Sequence, residues 1–123
     1  MIPVAFASQD GLHVNQHFGW AKQFWLYKVG KEGAEFVKVI ESGDEPEGEE
    51  EKLNYKIDTI KEASILYCSQ IGPTASKMVQ AARIYPVRCA EDETIEQAIS
   101  KIQDLLNGTT PPWLARIYHQ TLQ

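Results

Sequence analysis

Apolar residues in the first forty positions fall in short blocks rather than at helical spacing. Ile2 to Ser8 is one such block, bounded by turn residues, and reads as a buried strand. Phe24 to Val29 (FWLYKV) and Glu35 to Ile40 (EFVKVI) flank Gly30-Lys31-Glu32-Gly33, the pattern of an antiparallel hairpin. Beyond residue 52 the spacing changes. Leu53, Ile57 and Ile60 mark one face of a helix, and Ser64 to Cys68 (SILYC) is a compact strand-like run. Gly72-Pro73 opens a second helix, because proline suits the first helical position; its inward face is Ala75, Met78, Val79 and Ala82. Tyr85 to Cys89 (YPVRC) reads as a strand that Pro86 assigns to a sheet edge. Ile95, Ala98, Ile99, Ile102, Leu105 and Leu106 give the clearest helical stripe, with Asp92 or Thr94 as its cap and Asn107-Gly108 as its stop. These elements make one domain over residues 1–108. Residues 109–123, with Pro111-Pro112-Trp113, read as a C-terminal tail lying across its surface.

The order β-β-β-α-β-α-β-α calls for an α/β fold with helices on both faces of a mixed sheet. Right-handed crossovers make strands 4 and 5 parallel. The economical order is 3-2-1-4-5, the outline of a ribonuclease-H-like three-layer fold. No internal repeat is present.

Composition narrows the functional classes. With 123 residues, 43% hydrophobic and 24% charged, the chain can build a core without a disulfide or structural metal. No apolar run approaches a membrane span. The N-terminus lacks the pattern of a secretion signal, so Cys68 and Cys89 are expected as reduced thiols in the cytoplasm. The net charge of −5 is local: seven acids lie between Glu41 and Lys52, leaving ten acids against twelve bases elsewhere. The stretch Ser42 to Lys52 (SGDEPEGEEEK) is expected to be a mobile surface loop. No dense Lys/Arg patch of the nucleic-acid-binding kind occurs.

In the order 3-2-1-4-5, the loops after strands 1 and 4 leave the same sheet end in opposite directions, the usual setting of a ligand crevice. The first loop, Ser8 to Ala21, holds two of the three histidines, His13 and His17, with Gly11 and Gly19. Imidazole is a good ligand for iron and similar metals. An ordinary surface loop, turned at Asp10-Gly11 and plugged by Phe18, accounts for these residues about as well. In the second loop, Ser69 to Thr74, a helix start near Gly72 offers free N–H groups to an anion, although most such turns bind nothing. Cys68 ends strand 4 beside it, equally readable as a soft-metal ligand or as an inert core thiol. Cys89 is read as structural.

Asp10-Gly11, Val14, His17-Phe18-Gly19 and Ala21 resemble the D-G-x-x-V-x-x-H-F-G-x-A signature of the dinitrogenase iron–molybdenum cofactor-binding family. The resemblance covers nearly the whole chain, and Pro111-Pro112-Trp113-Leu114 is most similar to the NifX branch. It implies a ribonuclease-H-like fold and a non-enzymatic role: carrying or storing an iron–sulfur precursor of the nitrogenase cofactor (NifB-cofactor type), or the finished iron–molybdenum cofactor. The implied partners are maturation proteins of the NifB and NifEN type, and the chain is expected to be a monomer. The motif histidine, His17, is implied as the cluster contact and metal ligand; Cys68, from its place at the end of strand 4 beside the second loop, is expected as a second ligand. Asn15, Gly19 and Gly72 complete the expected site, and Lys22, Lys77 and Arg83 are candidates for outer electrostatic contributors. Gly72-Pro73 departs from the Gly-Gly frequent in relatives. Two cysteines cannot build a full thiolate cage, which suits cargo that must be released.

Two other classes compete with this reading. A ribonuclease-H-type nuclease needs carboxylates on strand 1, yet Val4-Ala5-Phe6-Ala7 has none. H-E-x-x-H and G-x-S-x-G are also missing. A protein-interaction module that binds no cluster is the alternative, with Trp20, Trp25 and Trp113 as anchors; for these tryptophans a core or rim position is the commoner role.

Overall fold

Strand β1 (Ile2–Ala7) occupies the middle of a five-stranded sheet. The computed structural model describes residues 1–122. β1 pairs antiparallel with β2 (Gln23–Val29), which pairs antiparallel with β3 (Ala34–Glu41). On its other side β1 runs parallel to β4 (Ile65–Cys68), and β4 runs parallel to the edge strand β5 (Tyr85–Arg88). The order is β3-β2-β1-β4-β5, as the sequence predicts.

The period of two along each strand sorts side chains into two cores. Ala5, Ala7, Phe24, Leu26, Leu66 and Cys68 face α1 (Glu49–Thr59) and α2 (Pro73–Ala81). Val4, Phe6, Ile65 and Tyr67 face α3 (Ile95–Asn107) and α4 (Pro112–Thr121). The result is three layers, helices on both faces of a mixed sheet. Thr94, not Asp92, caps α3: its hydroxyl accepts from the Gln97 amide while the Gln97 side chain accepts from the Thr94 amide. No helix among the described residues is long and apolar enough to cross a membrane.

Two segments differ from the sequence reading. Helix α1 begins at Glu49, inside the acidic stretch, because Glu49, Glu50 and Glu51 lie in its first turn, where the helix dipole favours negative charge. The preceding residues are pinned rather than free. Lys56, fully buried, donates to the carbonyls of Ala21 and Ser42 and pairs with Glu45 at 2.7 Å. Tyr55 Oη also accepts from the Asp44 amide. The second difference is α4, a helix that the tail reading leaves out. Pro111 and Pro112 start it, and Leu114 is completely buried beneath it.

Candidate functional site

Because β1 and β4 are parallel neighbours, the chain leaves both at one end of the sheet. Two backbone hydrogen bonds tie the emerging loops together. The Ser69 amide donates to the Gln16 carbonyl at 3.0 Å, and the Phe18 amide donates to the Gln70 carbonyl at 2.9 Å. His17 therefore lies in a one-residue bridge with Gln70, at the lip of the opening between the loops.

A tight 3-10 turn follows, in which the amides of Trp20 and Ala21 both donate to the His17 carbonyl. It lays the Trp20 indole flat on the His17 imidazole, centroids 4.2 Å apart and planes 9° apart. Trp20 remains 66% exposed, so a large aromatic surface stands open at this lip.

His17, Gly19 and Trp20 form one wall of a cleft of about 350 Å³. The opposite wall is Gln70 to Ala75, the loop and first turn of α2, and Glu49 and Leu53 of α1 close the side. Gly72 caps α2 with no side-chain bond, and Pro73 has no N–H. The amides of Thr74 and Ala75 make no hydrogen bond among the described residues, so the positive end of α2 opens on the cleft. A β-carbon placed on Gly19 or Gly72 would meet nothing within 4 Å.

The structure thus brings His17, Gly19 and Gly72 together. Asn15 and Cys68 lie elsewhere. The Asn15 side chain accepts from the Gln9 amide at 2.9 Å and braces the base of the loop. Cys68 is fully buried in the same cluster as Leu53 and Ala75, below the cleft surface. Burial, then the nearby Cys89, pushes its thiol pKa up to about 12, so it is protonated at neutral pH. Cys89 packs on the opposite face of the sheet, and both cysteines are free thiols. Lys22 lines an adjoining depression on the far side of Trp20; Lys77 does not line the cleft, and Arg83 lies at the other end of α2. Among the described residues, no group of three or more His, Cys, Asp or Glu side chains is arranged to hold a metal ion. The sequence reading missed Glu49, Leu53 and the role of Trp20 as a partner of His17. The three-residue spacing of His17 and Trp20 within one turn was the available signal for the last.

The model of the family described as dinitrogenase iron-molybdenum cofactor matches residues 1–105. The chain belongs to this family. It is 42% identical over 115 residues to protein NifX of Herbaspirillum seropedicae, covering 92% of this chain and 79% of that one. It is 34% identical over 124 residues to protein NifX of Sinorhizobium fredii, covering 95% and 78%. A crystal structure of a Methanocaldococcus jannaschii protein superposes with a TM-score of 0.63 at 19% identity, covering 84% of this chain and 88% of that one, and shows the same fold.

Most positions of the dinitrogenase cofactor family signature have a structural reason here. The Asp10 carboxylate accepts from the amides of Leu12 and His13, each at 2.8 Å, and from the His13 ring at 2.8 Å. These bonds, the His13 amide foremost, hold its pKa well below the usual carboxylate range. Gly11 has φ +76°, and a β-carbon there would lie 2.5 Å from the Trp25 ring. Val14, Phe18 and Ala21 are fully buried. Only His17 and Gly19 of the signature face the cleft.

Proposed function

We propose that this chain is a non-enzymatic carrier that holds an iron–sulfur precursor of the nitrogenase iron–molybdenum cofactor, or the cofactor itself, in the cleft between the His17 loop and α2. The observation that carries the reading is the division within the signature. Asp10, Gly11, Val14, Phe18 and Ala21 serve the fold of the loop, while Gly19 lines the cleft and the His17 side chain, stacked on Trp20 and without a hydrogen bond among the described residues, stands at the opening.

The chemistry supports transient holding. His17 offers one ring nitrogen to iron, and the free amides of Thr74 and Ala75 face the negative charge of a metal–sulfur cargo. Gly19 and Gly72 leave room for a bulky inorganic body at the cleft walls. A single protein ligand releases cargo more readily than a cage of thiolates. Cys68 could join only after losing a proton that burial holds and after the overlying core parts, so His17 carries the grip. A carrier of this kind exchanges cargo with maturation proteins of the NifB and NifEN type.

The test is anaerobic loading with an iron–sulfur precursor followed by gel filtration and iron and sulfide analysis. The wild-type chain should retain brown colour and metal, and H17A should retain at least about tenfold less, the loss of one metal–ligand bond. Equal retention by H17A removes His17 from the grip, and a wild-type chain that elutes without iron and sulfide overturns the reading in favour of a protein-interaction module that binds no cluster.

A further inference from the structure

At the opposite end of the sheet, α2 finishes and the chain enters β5 beneath α4. Helix α2 joins the two places: Ala75 lines the His17 cleft and Gln80 lines this end, five residues or about 7.5 Å of rise apart. A groove of about 420 Å³ lies here, lined by Arg83, Ile84, Tyr85, Trp113, Arg116 and Ile117 among others. The Pro111-Pro112-Trp113 motif, which the cleft leaves unexplained, builds it: the prolines start α4, and Trp113 stacks on Tyr85 with centroids 4.1 Å apart and planes 5° apart.

Three features set this groove apart. Neither guanidinium makes a hydrogen bond or ion pair among the described residues. No acid lines it, although the chain carries a net charge of −5 and the cavities beside His17, Lys22, His13 and Lys101 each include an acidic side chain. Arg83 is the one non-glycine residue with positive φ, 65°, among those described, at a helix end where glycine is the economical choice. The arginine thus occupies a position whose backbone favours glycine. The edge of β5 offers little to a partner strand: Pro86 alternates with Tyr85 and Val87 and has no N–H to present outward. Recognition at this end therefore falls to side chains.

We infer that the Arg83/Arg116 groove is a docking site for an acidic segment of a partner protein, whose carboxylates pair with the two guanidinium groups while an apolar side chain lies on the Tyr85–Trp113 stack. Arginine forks suit carboxylates in two-point contact, and aromatic and arginine anchors dominate docking surfaces. The groove opens at the other end of α2 from the cleft, and its own chemistry does not depend on what the cleft binds.

The test titrates the isotopically labelled full chain with a synthetic glutamate-rich peptide bearing a central phenylalanine. Its glutamine counterpart and inorganic phosphate are run in parallel. The acidic peptide should give saturable shifts of the Trp113 indole and of the Arg83 and Arg116 side-chain resonances, weakening as salt rises. Affinity should fall about tenfold in R116Q and in R83G. The glycine variant relaxes the backbone, so its fold is secure. H17A should bind the peptide as the wild type does, which separates failure here from failure of the cargo reading. Three outcomes overturn the inference: no saturable shift, equal binding of the glutamine peptide, or the same shifts from phosphate at the same concentration, which would mark a small-anion site.

Discussion

At Gly11 the backbone adopts φ +76°, and any side chain would strike the Trp25 ring. Gly11→Ala combines a left-handed strain with overpacking, so urea denaturation should show a loss of about 2–4 kcal/mol. Gly19, eight residues on in the same loop, has open space where a β-carbon would go and no positive φ. Gly19→Ala should leave stability within about 0.5 kcal/mol, so any fall in cargo retention there reports the cleft itself. Glu49 is the one acid lining the cleft, and it opposes an anionic cargo. Glu49→Gln should raise retention about threefold to tenfold, measured as the iron bound at equal free precursor. Asp10 gives a pH signature. Its folded pKa is depressed, so the stability it contributes is present above the unfolded carboxylate value of about 4 and is lost as pH falls below it. The gap in melting temperature between the wild type and D10N should therefore be full at neutral pH and close toward strong acid. A gap constant with pH would mean that the carboxylate charge plays no part in holding the loop.

The elements that the sequence disclosed are those whose apolar spacing is long or whose turns are chemically marked. Ile95 to Leu106 repeats for over three turns, and Gly30 to Gly33 marks the hairpin. Helix α4 escaped because the stop at Asn107-Gly108 and the paired prolines look like the end of structure, and its buried anchor, Leu114, is a single residue. The start of α1 escaped because a run of glutamates reads as self-repelling. Near a helix N-terminus the same charges are favourable, and the buried Lys56 draws Glu45 into place. Lys56→Met removes a buried cation from two carbonyls and a carboxylate that is itself partly exposed, and should cost about 2–4 kcal/mol. Hydrogen exchange should quicken across residues 42–48 ahead of the rest of the molecule. Uniform acceleration would mean that Lys56 supports the core and not the acidic segment.

For the molecule as a whole, strand order located the site and side-chain direction decided its members. Parallel neighbours at a switch point implied that the loops after β1 and β4 would meet, and they do, through the bridge at His17 and Gln70. Which way Cys68 points depends on where alternation along a four-residue strand begins, and neighbouring residues on both faces of β4 are equally apolar, so the sequence held no phase signal. Glu49 and Leu53 come from an element far along the chain, and only packing of α1 against α2 brings them to the cleft.

The same architecture separates the core that sets stability from the cleft proposed to hold cargo. Leu114 fills the core on the α3–α4 face, whereas the cleft rests on the α1–α2 face at one end of the sheet. Leu114→Ala deletes a fully buried side chain, and the cavity left behind should cost about 3 kcal/mol, a fall in melting temperature of roughly 10 °C for a chain of this size. The lip of the cleft is fixed by backbone bonds between the His17 and Gln70 loops, and Leu114 does not line the cleft. Well below its melting point, L114A should therefore retain iron as the wild type does, just as H17A should melt like the wild type while losing cargo. The pair forms a cross: one variant unstable and loaded, the other stable and empty. Cargo loss in folded L114A would show that the two faces of the sheet are coupled, and an unchanged melting temperature would show that α4 is not docked on the core.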